Sequence, residues 1–429
     1  MEELKSDLTT TDTVQELQQK LHQKAKSNAD FRFYALYDKI YRKDILRRSW
    51  ERVKSNNGAS GVDEQTFKDI EQKGVDKFLG SIQQGLKTKT YRPEPARRVY
   101  IPKPDGTKRP LSIPTIKDRV VQTALKLIIE PIFEADFEDC SYGFRPKRSI
   151  QQAALEVRKL LNFGYKEVIE TDIEDCFGSI PHRELLDMVA KRVVDGNILW
   201  LIKLFLKAGV MEENNIRTDD KGTPQGGVIS PLLANIYLNS IDKGWKPLNN
   251  SARLIRYADD MVIMTKHHSQ ETKAKLEEIV TRIKLRLKQS KTRILDAECE
   301  TFDFLGFTFT KALNRQKDKR TAYYYPSQKS ENTIRRRIGE IVDYRRPVKV
   351  EQVVKELTPV LRGWVNCFRI ANSSRKFGKI KYHVAQKMRK FMRRHGHKSG
   401  YGYKQYPDSY LYGELGLYND YRVSWAKTL

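Results

Sequence analysis

Three aspartates stand where they could hold divalent metal ions. Asp172 follows a short apolar stretch, and Asp259 and Asp260 lie side by side between two apolar arms. Transfer of a nucleotide to a 3′-hydroxyl uses two such ions about 3.5–4 Å apart, which stabilise the attacking and leaving oxygens, and Mg²⁺ prefers carboxylate ligands. A strand that ends in an aspartate, beside a hairpin with two aspartates at its bend, supplies those ligands. The three residues are therefore candidates for catalysis and for metal binding.

Adjacent aspartates also occur in ordinary solvated turns, and taken alone that is the commoner situation. The arms around this pair, Leu254-Ile255 and Met261–Met264, are apolar and predict buried strands. A charge held between buried strands is costly unless something satisfies it. These surroundings favour metal binding over a simple turn.

Strands and helices are both needed to position these groups. The residues around 254–264 predict a hairpin, and those before Asp172 predict a strand. A second hairpin at 97–114 has a basic tip, and its prolines suit strands at a sheet edge. Apolar periodicity predicts helices within residues 12–50, 64–86, 115–134, 183–208, 230–242 and 271–288, a strand at 302–309 and a helical last quarter. This mixture indicates an α+β chain, and its 429 residues predict two or three lobes.

The charge of the chain indicates a polyanionic partner. There are 80 Lys and Arg residues against 54 Asp and Glu, a net charge of +26. Residues 311–429 hold 28 of these cations and 9 of the anions, a net charge of +19. A charge this concentrated favours nucleic acid or an anionic membrane over a merely solvated surface. Nothing in the sequence resembles the roughly 20 apolar residues of a membrane span, so nucleic acid is the favoured partner.

The cysteines and the start of the chain bear on its environment. Cys140, Cys176, Cys299 and Cys367 form no C-x-x-C pair, which argues against a disulfide framework and a zinc ribbon. The acidic, polar start predicts no secretory signal. A reducing cytoplasm is the expected location.

Three motifs around the aspartates resemble those of reverse transcriptases. Arg256-Tyr257-Ala258-Asp259-Asp260 is similar to the central catalytic motif, and Asp172-Ile173-Glu174-Asp175-Cys176-Phe177 to the first motif. Gly222–Pro231, with the sequence GTPQGGVISP, is similar to the glycine-rich motif of the same palm. The tracts NNGASGVD, IPKPDGTKRPLSIPTIKDRVVQ, SYGFRPKRS, FLGFTF and LRGWVNCFRI resemble blocks of the enzymes encoded by bacterial group II introns. This resemblance runs from about residue 45 to residue 395.

The resemblance implies the fold of a right-hand polymerase, with fingers and palm followed by a helical thumb that doubles as the maturase domain. The expected divisions are an N-terminal extension and the start of the fingers (1–85), fingers (86–165), palm (166–310), thumb (325–395) and a short C-terminal tail (396–429). No cysteine follows Cys367, so we expect no C-terminal HNH-type endonuclease, whose metal site uses paired cysteines.

The resemblance also implies the roles of the metal ligands. Asp172 and Asp259 would bridge two Mg²⁺ ions, for which Mn²⁺ could substitute. The backbone carbonyl of Ile173 would be a further ligand, and Asp260 would support the site.

A second implied group surrounds the incoming dNTP. Phe177 would stand under the sugar and exclude a 2′-hydroxyl, although it could also be an ordinary core aromatic. Lys103 and Arg109 of the basic hairpin would clamp the triphosphate. Gln225 would lie against the nucleotide or template, and Lys291 near the leaving pyrophosphate.

A third group would contact RNA. Arg145 could touch the template backbone or hold the fold through a buried ion pair, and the sequence leaves both open. On the thumb, the basic residues expected to bind RNA phosphates are Lys379, Lys387, Arg389, Lys390, Arg393 and Arg394.

The function that follows from this resemblance is RNA-directed DNA synthesis, with splicing and mobility of the parent intron. The partners would be intron RNA or another RNA template, a DNA or RNA primer and dNTPs, in a bacterial cytoplasm and near the nucleoid during action on DNA. A similar enzyme recruited to host defence or DNA repair, and a splicing-only maturase, are alternatives. A template-dependent RNA polymerase is disfavoured by the bulky Phe177.

Overall fold

A computed structural model describes residues 2–102, 106, 108–213, 215–218, 220–314, 318–396 and 399–424, with side chains from residue 13 onward. The first part of the chain is mainly helical around one central helix, α6. Its elements are α1 (Glu2–Ser27), α2 (Tyr37–Ile40), α3 (Lys43–Ser55), α4 (Phe67–Lys73), α5 (Val75–Lys87), β1 (Ala96–Pro102), β2 (Lys108–Ile113), α6 (Ile116–Glu134) and α7 (Ile150–Asn162). Helix α6 is buried on nearly all sides because most of its residues are apolar and α1 and α3 pack against it. Strands β1 and β2 form the antiparallel hairpin expected from the sequence, with β2 at the sheet edge.

The middle of the chain builds a second sheet. Its elements are β3 (Glu167–Asp172), α8 (Cys176–Ser179), α9 (His182–Ala190), α10 (Gly196–Lys207), β4 (Val210–Glu212), β5 (Asn215–Arg217), α11 (Ser230–Trp245), β6 (Ala252–Tyr257), β7 (Asp260–Thr265), α12 (Ser269–Arg282) and β8 (Arg293–Asp296). The strand order is β6-β7-β3-β8, and every neighbouring pair is antiparallel. Strands β4 and β5 instead join the first sheet, where β4 runs parallel to β1.

The last part of the chain packs on one face of that second sheet. Its elements are β9 (Phe302–Phe304), β10 (Phe307–Asn314), β11 (Lys319–Pro326), α13 (Gln328–Ile341), α14 (Val350–Phe368) and α15 (Ser374–His395). Apolar side chains alternate along the strands of the second sheet, so its two faces enter different cores. Ile169 and Ile263 join the core around α6 and α11, whereas Val168 and Val262 join the core that holds the last three helices.

Two helices predicted from the sequence are each divided in the structure. The helix expected at 64–86 is interrupted at Gly74, whose φ is +95°, and forms α4 and α5. The single helix expected at 183–208 is broken into α9 and α10, because the Asp195 carboxylate caps α10 by accepting hydrogen bonds from the Asn197 and Ile198 amides. Within the expected C-terminal tail (396–429), the described residues 399–424 fold back on α15 and bury Leu411 and Leu417. Among the described helices, none is both long enough and apolar enough to cross a membrane.

Candidate active site

The three predicted aspartates converge at one end of the second sheet. Asp172 is the last residue of β3 and lies directly opposite Asp260, the first residue of β7. Residues opposite each other on antiparallel strands point to the same face, so these two carboxylates share a face. Asp259 lies in the two-residue link between β6 and β7, after Ala258, whose φ of +56° makes the tight bend. The hairpin and the strand thus place the three aspartates at the same end of the sheet, as the sequence predicted.

The chemistry of these side chains suits a divalent metal ion, although the described residues contain no group of three metal-binding side chains drawn together around one point. Asp172 is buried, and its Oδ1 has no hydrogen-bond partner among the described residues. Its other oxygen accepts a hydrogen bond from the Lys291 ammonium. A buried carboxylate oxygen without a donor is costly unless a cation satisfies it. Asp172, Asp259 and Asp260 therefore offer the hard oxygen ligands that Mg²⁺ prefers, and Ile173, which follows Asp172, is buried beside Leu287.

Repulsion among the carboxylates also favours a bound cation. Desolvation, followed by the charges of Asp172 and Asp259, raises the pKa of Asp260 to about 6. Desolvation and the charge of Asp172 raise the pKa of Asp259, whereas Lys291 and Arg109 oppose that rise. A positive ion among the three groups would remove this repulsion.

A buried ion pair holds the hairpin that carries Asp259. Arg256 and Asp242 have no exposed side-chain surface and form a two-point hydrogen bond. The same guanidinium donates to the Ala258 carbonyl at 3.0 Å and to the Asn235 Oδ1 at 3.1 Å, so it clamps the bend directly. Sequence reasoning assigned no role to this pair, although a charged residue inside an apolar strand is a signal for a buried partner.

The glycine-rich loop connects the aspartates to the first sheet. The Thr223 amide donates to the Phe177 carbonyl at 2.6 Å, and the Ser112 amide of β2 donates to the Gln225 carbonyl at 2.6 Å. Gly226 has a φ of +112°, and a Cβ there would lie 2.3 Å from the Ser112 carbonyl oxygen, so the close approach requires glycine. Phe177 and Gln225 are both half-buried.

The basic hairpin reaches toward the same site. Arg109 is exposed on β2, close enough for its charge to lower the pKa of Asp259. Lys103, predicted as its partner on the triphosphate, lies outside the described residues.

Known proteins share these features. Residues 101–309 match the family described as reverse transcriptase (RNA-dependent DNA polymerase), and residues 332–407 match the group II intron, maturase-specific domain. Protein YkfC of Escherichia coli (strain K12) is 34% identical over 363 residues, which cover 74% of this chain and 94% of YkfC. The chain belongs to the group II intron reverse transcriptases. This confirms the resemblance and the α+β polymerase fold, and the enzyme is an RNA-directed DNA polymerase.

Two further similar proteins are matched over a smaller part of their own length. The group II intron-encoded protein LtrA of Lactococcus lactis subsp. cremoris is 38% identical over 228 residues, which are 52% of this chain and 37% of LtrA. A solved structure, titled partial Cas6-RT-Cas1--Cas2 complex, aligns with a TM-score of 0.36 and 25% identity over 58% of this chain and 42% of that chain. The reverse transcriptase thus spans little more than a third of LtrA.

The structure gives Arg145 the second of its two possible roles. Its side chain is only 3% exposed and ion-pairs with Glu134 at 2.8 Å. It also donates to the carbonyls of Glu138 and Ser141 at 2.6 and 2.7 Å. Because its guanidinium is buried and bonded to Glu134, Glu138 and Ser141, the prediction that Arg145 contacts the template is not supported.

Five of the six predicted thumb residues are accessible. Lys379, Lys390 and Arg394 are exposed, and Lys387 and Arg393 are half-buried. A groove of about 380 Å³ is lined by His383, Gln386, Lys387, Lys390, Arg393, Arg394 and Tyr401. Within the described part of the chain, none of its lysines or arginines pairs with a carboxylate, so the groove suits an anion.

Arg389 is the exception on this helix. It is 4% exposed, donates to the Tyr406 carbonyl at 2.9 Å and ion-pairs with Asp408. The structure does not support the predicted RNA contact by Arg389, because its side chain is buried and paired with Tyr406 and Asp408.

Proposed function

We propose that the enzyme copies RNA into DNA with two divalent ions held by Asp172, Asp259 and Asp260. The observation that carries this proposal is the buried, unpartnered Oδ1 of Asp172, on the sheet face that it shares with Asp260. Bound Mg²⁺ ions would activate the 3′-hydroxyl and stabilise the departing pyrophosphate. The Ile173 carbonyl would complete the ligand set, and Mn²⁺ could replace Mg²⁺.

The protein's own groups would position the dNTP. Lys291 donates a hydrogen bond to Asp172, so its ammonium lies where it could bind the phosphates of the dNTP. Arg109 and Lys103 would bind the same phosphates from the β1–β2 hairpin. Phe177 would exclude the 2′-hydroxyl of a ribonucleotide by its bulk. Gln225 would contact the nucleotide or template from the glycine-rich loop.

Primer extension tests the metal site. The full chain should extend a DNA primer on an RNA template when Mg²⁺ and dNTPs are present. Asp259→Asn should lose this activity, whereas Asp187→Asn, at an exposed position of α9, should keep it. Full activity of the Asp259 variant would refute the assignment.

We also propose that the thumb binds intron RNA and assists its splicing. The support is the match to the maturase-specific domain over residues 332–407 and the basic groove on α15. Both named relatives are bacterial, so we propose that the enzyme meets its RNA and target DNA in a bacterial cytoplasm. Sequencing the RNA that copurifies with the chain tests this role: a flanking group II intron is the expected result, and an unrelated set of transcripts would contradict it.

A further inference from the structure

Phe144 combines two features that are unfavourable in a folded protein. Its side chain is on the surface, with 51% of the residue exposed. Its backbone is left-handed, with a φ of +55°, which a bulky L-residue rarely adopts. Strain of this kind persists only where the surrounding structure enforces it, and such positions cluster at binding sites.

The loop around Phe144 is fixed on both sides. Before it, the Tyr142 amide donates to the Arg256 carbonyl at 2.9 Å, and the Gly143 carbonyl accepts from the Asn235 side chain at 2.8 Å. A Cβ on Gly143 would lie 2.4 Å from the Ala258 amide nitrogen, so the loop presses directly on the catalytic hairpin. After it, the buried Arg145 ties the chain to Glu134. The exposed ring is therefore held in place.

The position of the ring relates it to the active site. The Phe144 and Tyr257 ring centroids are 6.3 Å apart. Tyr257 lies directly opposite Asp260, and Asp260 directly opposite Asp172, so all three side chains belong to one face of the sheet. The two rings thus form an aromatic ledge (Phe144 and Tyr257) beside the carboxylates.

We propose that Phe144 supports the template–primer duplex just behind the primer terminus. An RNA–DNA hybrid tends toward the A form, whose minor groove is wide and shallow and shows sugars and base edges. The two rings, inclined to each other by 45°, offer an aromatic surface that can contact such a groove without reading its sequence. The proposal rests on the proposed function, because it takes the cleft over the carboxylates as the path of the duplex.

Substitution of Phe144 separates binding from folding. Phe144→Ala and Phe144→Gly in the full chain should weaken the binding of a fluorescent DNA primer annealed to an RNA template by about tenfold, the size expected for loss of one aromatic contact. Phe144→Gly should keep the melting temperature of the wild type, since relief of the positive φ offsets the greater freedom of glycine in the unfolded chain. Phe144→Tyr should bind like the wild type. At a duplex concentration below the wild-type Kd, the rate of primer extension by the alanine and glycine variants should fall in parallel with their affinity.

Phe163 provides the matched control. It is 62% exposed at the end of α7 and has an ordinary φ of −84°. Phe163→Ala should leave duplex affinity unchanged. Wild-type affinity in both the alanine and glycine variants of Phe144, or an equal loss in the Phe163 variant, would overturn the ledge while primer extension by the wild type still supports the proposed function. A wild-type chain that cannot extend primers would instead contradict the proposed function.

Discussion

The Nη2 of Arg256 lies 2.5 Å from the Oδ2 of Asp242, and neither side chain has any exposed surface. The pair supports the catalytic hairpin, because Arg256 lies two residues before Ala258 and donates to the Ala258 carbonyl within the turn that carries Asp259. Breaking a buried pair by removing one partner costs several kcal/mol, since the other charge stays buried. The buried ion pair therefore stabilises the two-residue turn that carries Asp259.

Arg256→Lys should reveal this support. Lysine keeps the charge but cannot reach Asp242, Asn235 and Ala258 together, so the bend should loosen. We expect kcat for primer extension to fall by about 100-fold, as is typical when catalytic groups shift by about 1 Å. Arg253→Lys, at an exposed position of the same strand, should retain the wild-type kcat. Equal kcat values in the two variants would show that the clamp has no catalytic consequence.

Phe177→Ala should relax the choice of sugar. With the ring removed, a 2′-hydroxyl gains room, and we expect the ratio of kcat/KM for dNTP over rNTP to fall by about tenfold or more. Single-nucleotide insertion with matched dGTP and GTP measures the ratio. Phe177→Tyr keeps the bulk and should keep the selectivity; an unchanged ratio in Phe177→Ala would mean that the ring is only a packing residue.

Asp260→Asn should stabilise the metal-free enzyme at neutral pH. The folded-state pKa of about 6 lies above the value of about 3.9 for an unfolded aspartate, so the folded state gains a proton as the pH falls through 6. The melting temperature of Asp260→Asn should therefore exceed that of the wild type above pH 6, and the gap should close between pH 6 and pH 4. Melting curves in EDTA measure this difference.

Added Mg²⁺ provides the second half of that experiment. It should raise the melting temperature of the wild type more at pH 7.5 than at pH 5.5, because the ionised carboxylates bind it. Asp187→Asn should behave like the wild type throughout. A Mg²⁺ effect of equal size in Asp260→Asn would argue that Asp260 does not support the site.

The basic groove on α15 should bind RNA in a salt-dependent way. Lys387→Gln and Arg394→Gln should each reduce the slope of log affinity against log salt concentration by about 0.7, if each contacts one phosphate of a single strand. Lys275→Gln on α12 should leave the slope unchanged. Arg389→Gln should lower the melting temperature instead, because Arg389 is buried and paired with Asp408. Salt-independent binding by the wild type would contradict the electrostatic account.

The features that were predicted most reliably are those that a short, contiguous stretch of sequence determines. The hairpin around Asp259 is visible because its apolar arms and its turn are contiguous, and the family motif places Asp172 relative to it. Arg145 and Arg389 could not be assigned in this way. A guanidinium suits a phosphate and a buried carboxylate equally well, and the choice depends on tertiary placement of Glu134 and Asp408. Phe144 escaped notice for a similar reason, since neither its φ nor its exposure is encoded in a residue pattern.

The core that joins the second sheet to α13, α14 and α15 has a consequence for how the enzyme unfolds. One apolar cluster contains Val168 and Val262 of the sheet, Leu361 of α14 and Val384 of α15, together with Leu411 and Leu417. Val168 and Val262 lie on the same face of the sheet as Asp172 and Asp260, so the helices that would bind RNA pack on the face that carries the catalytic carboxylates. The polymerase and maturase regions should therefore unfold in one cooperative transition. DNA synthesis should be lost at the same temperature at which the intron-binding helices unfold.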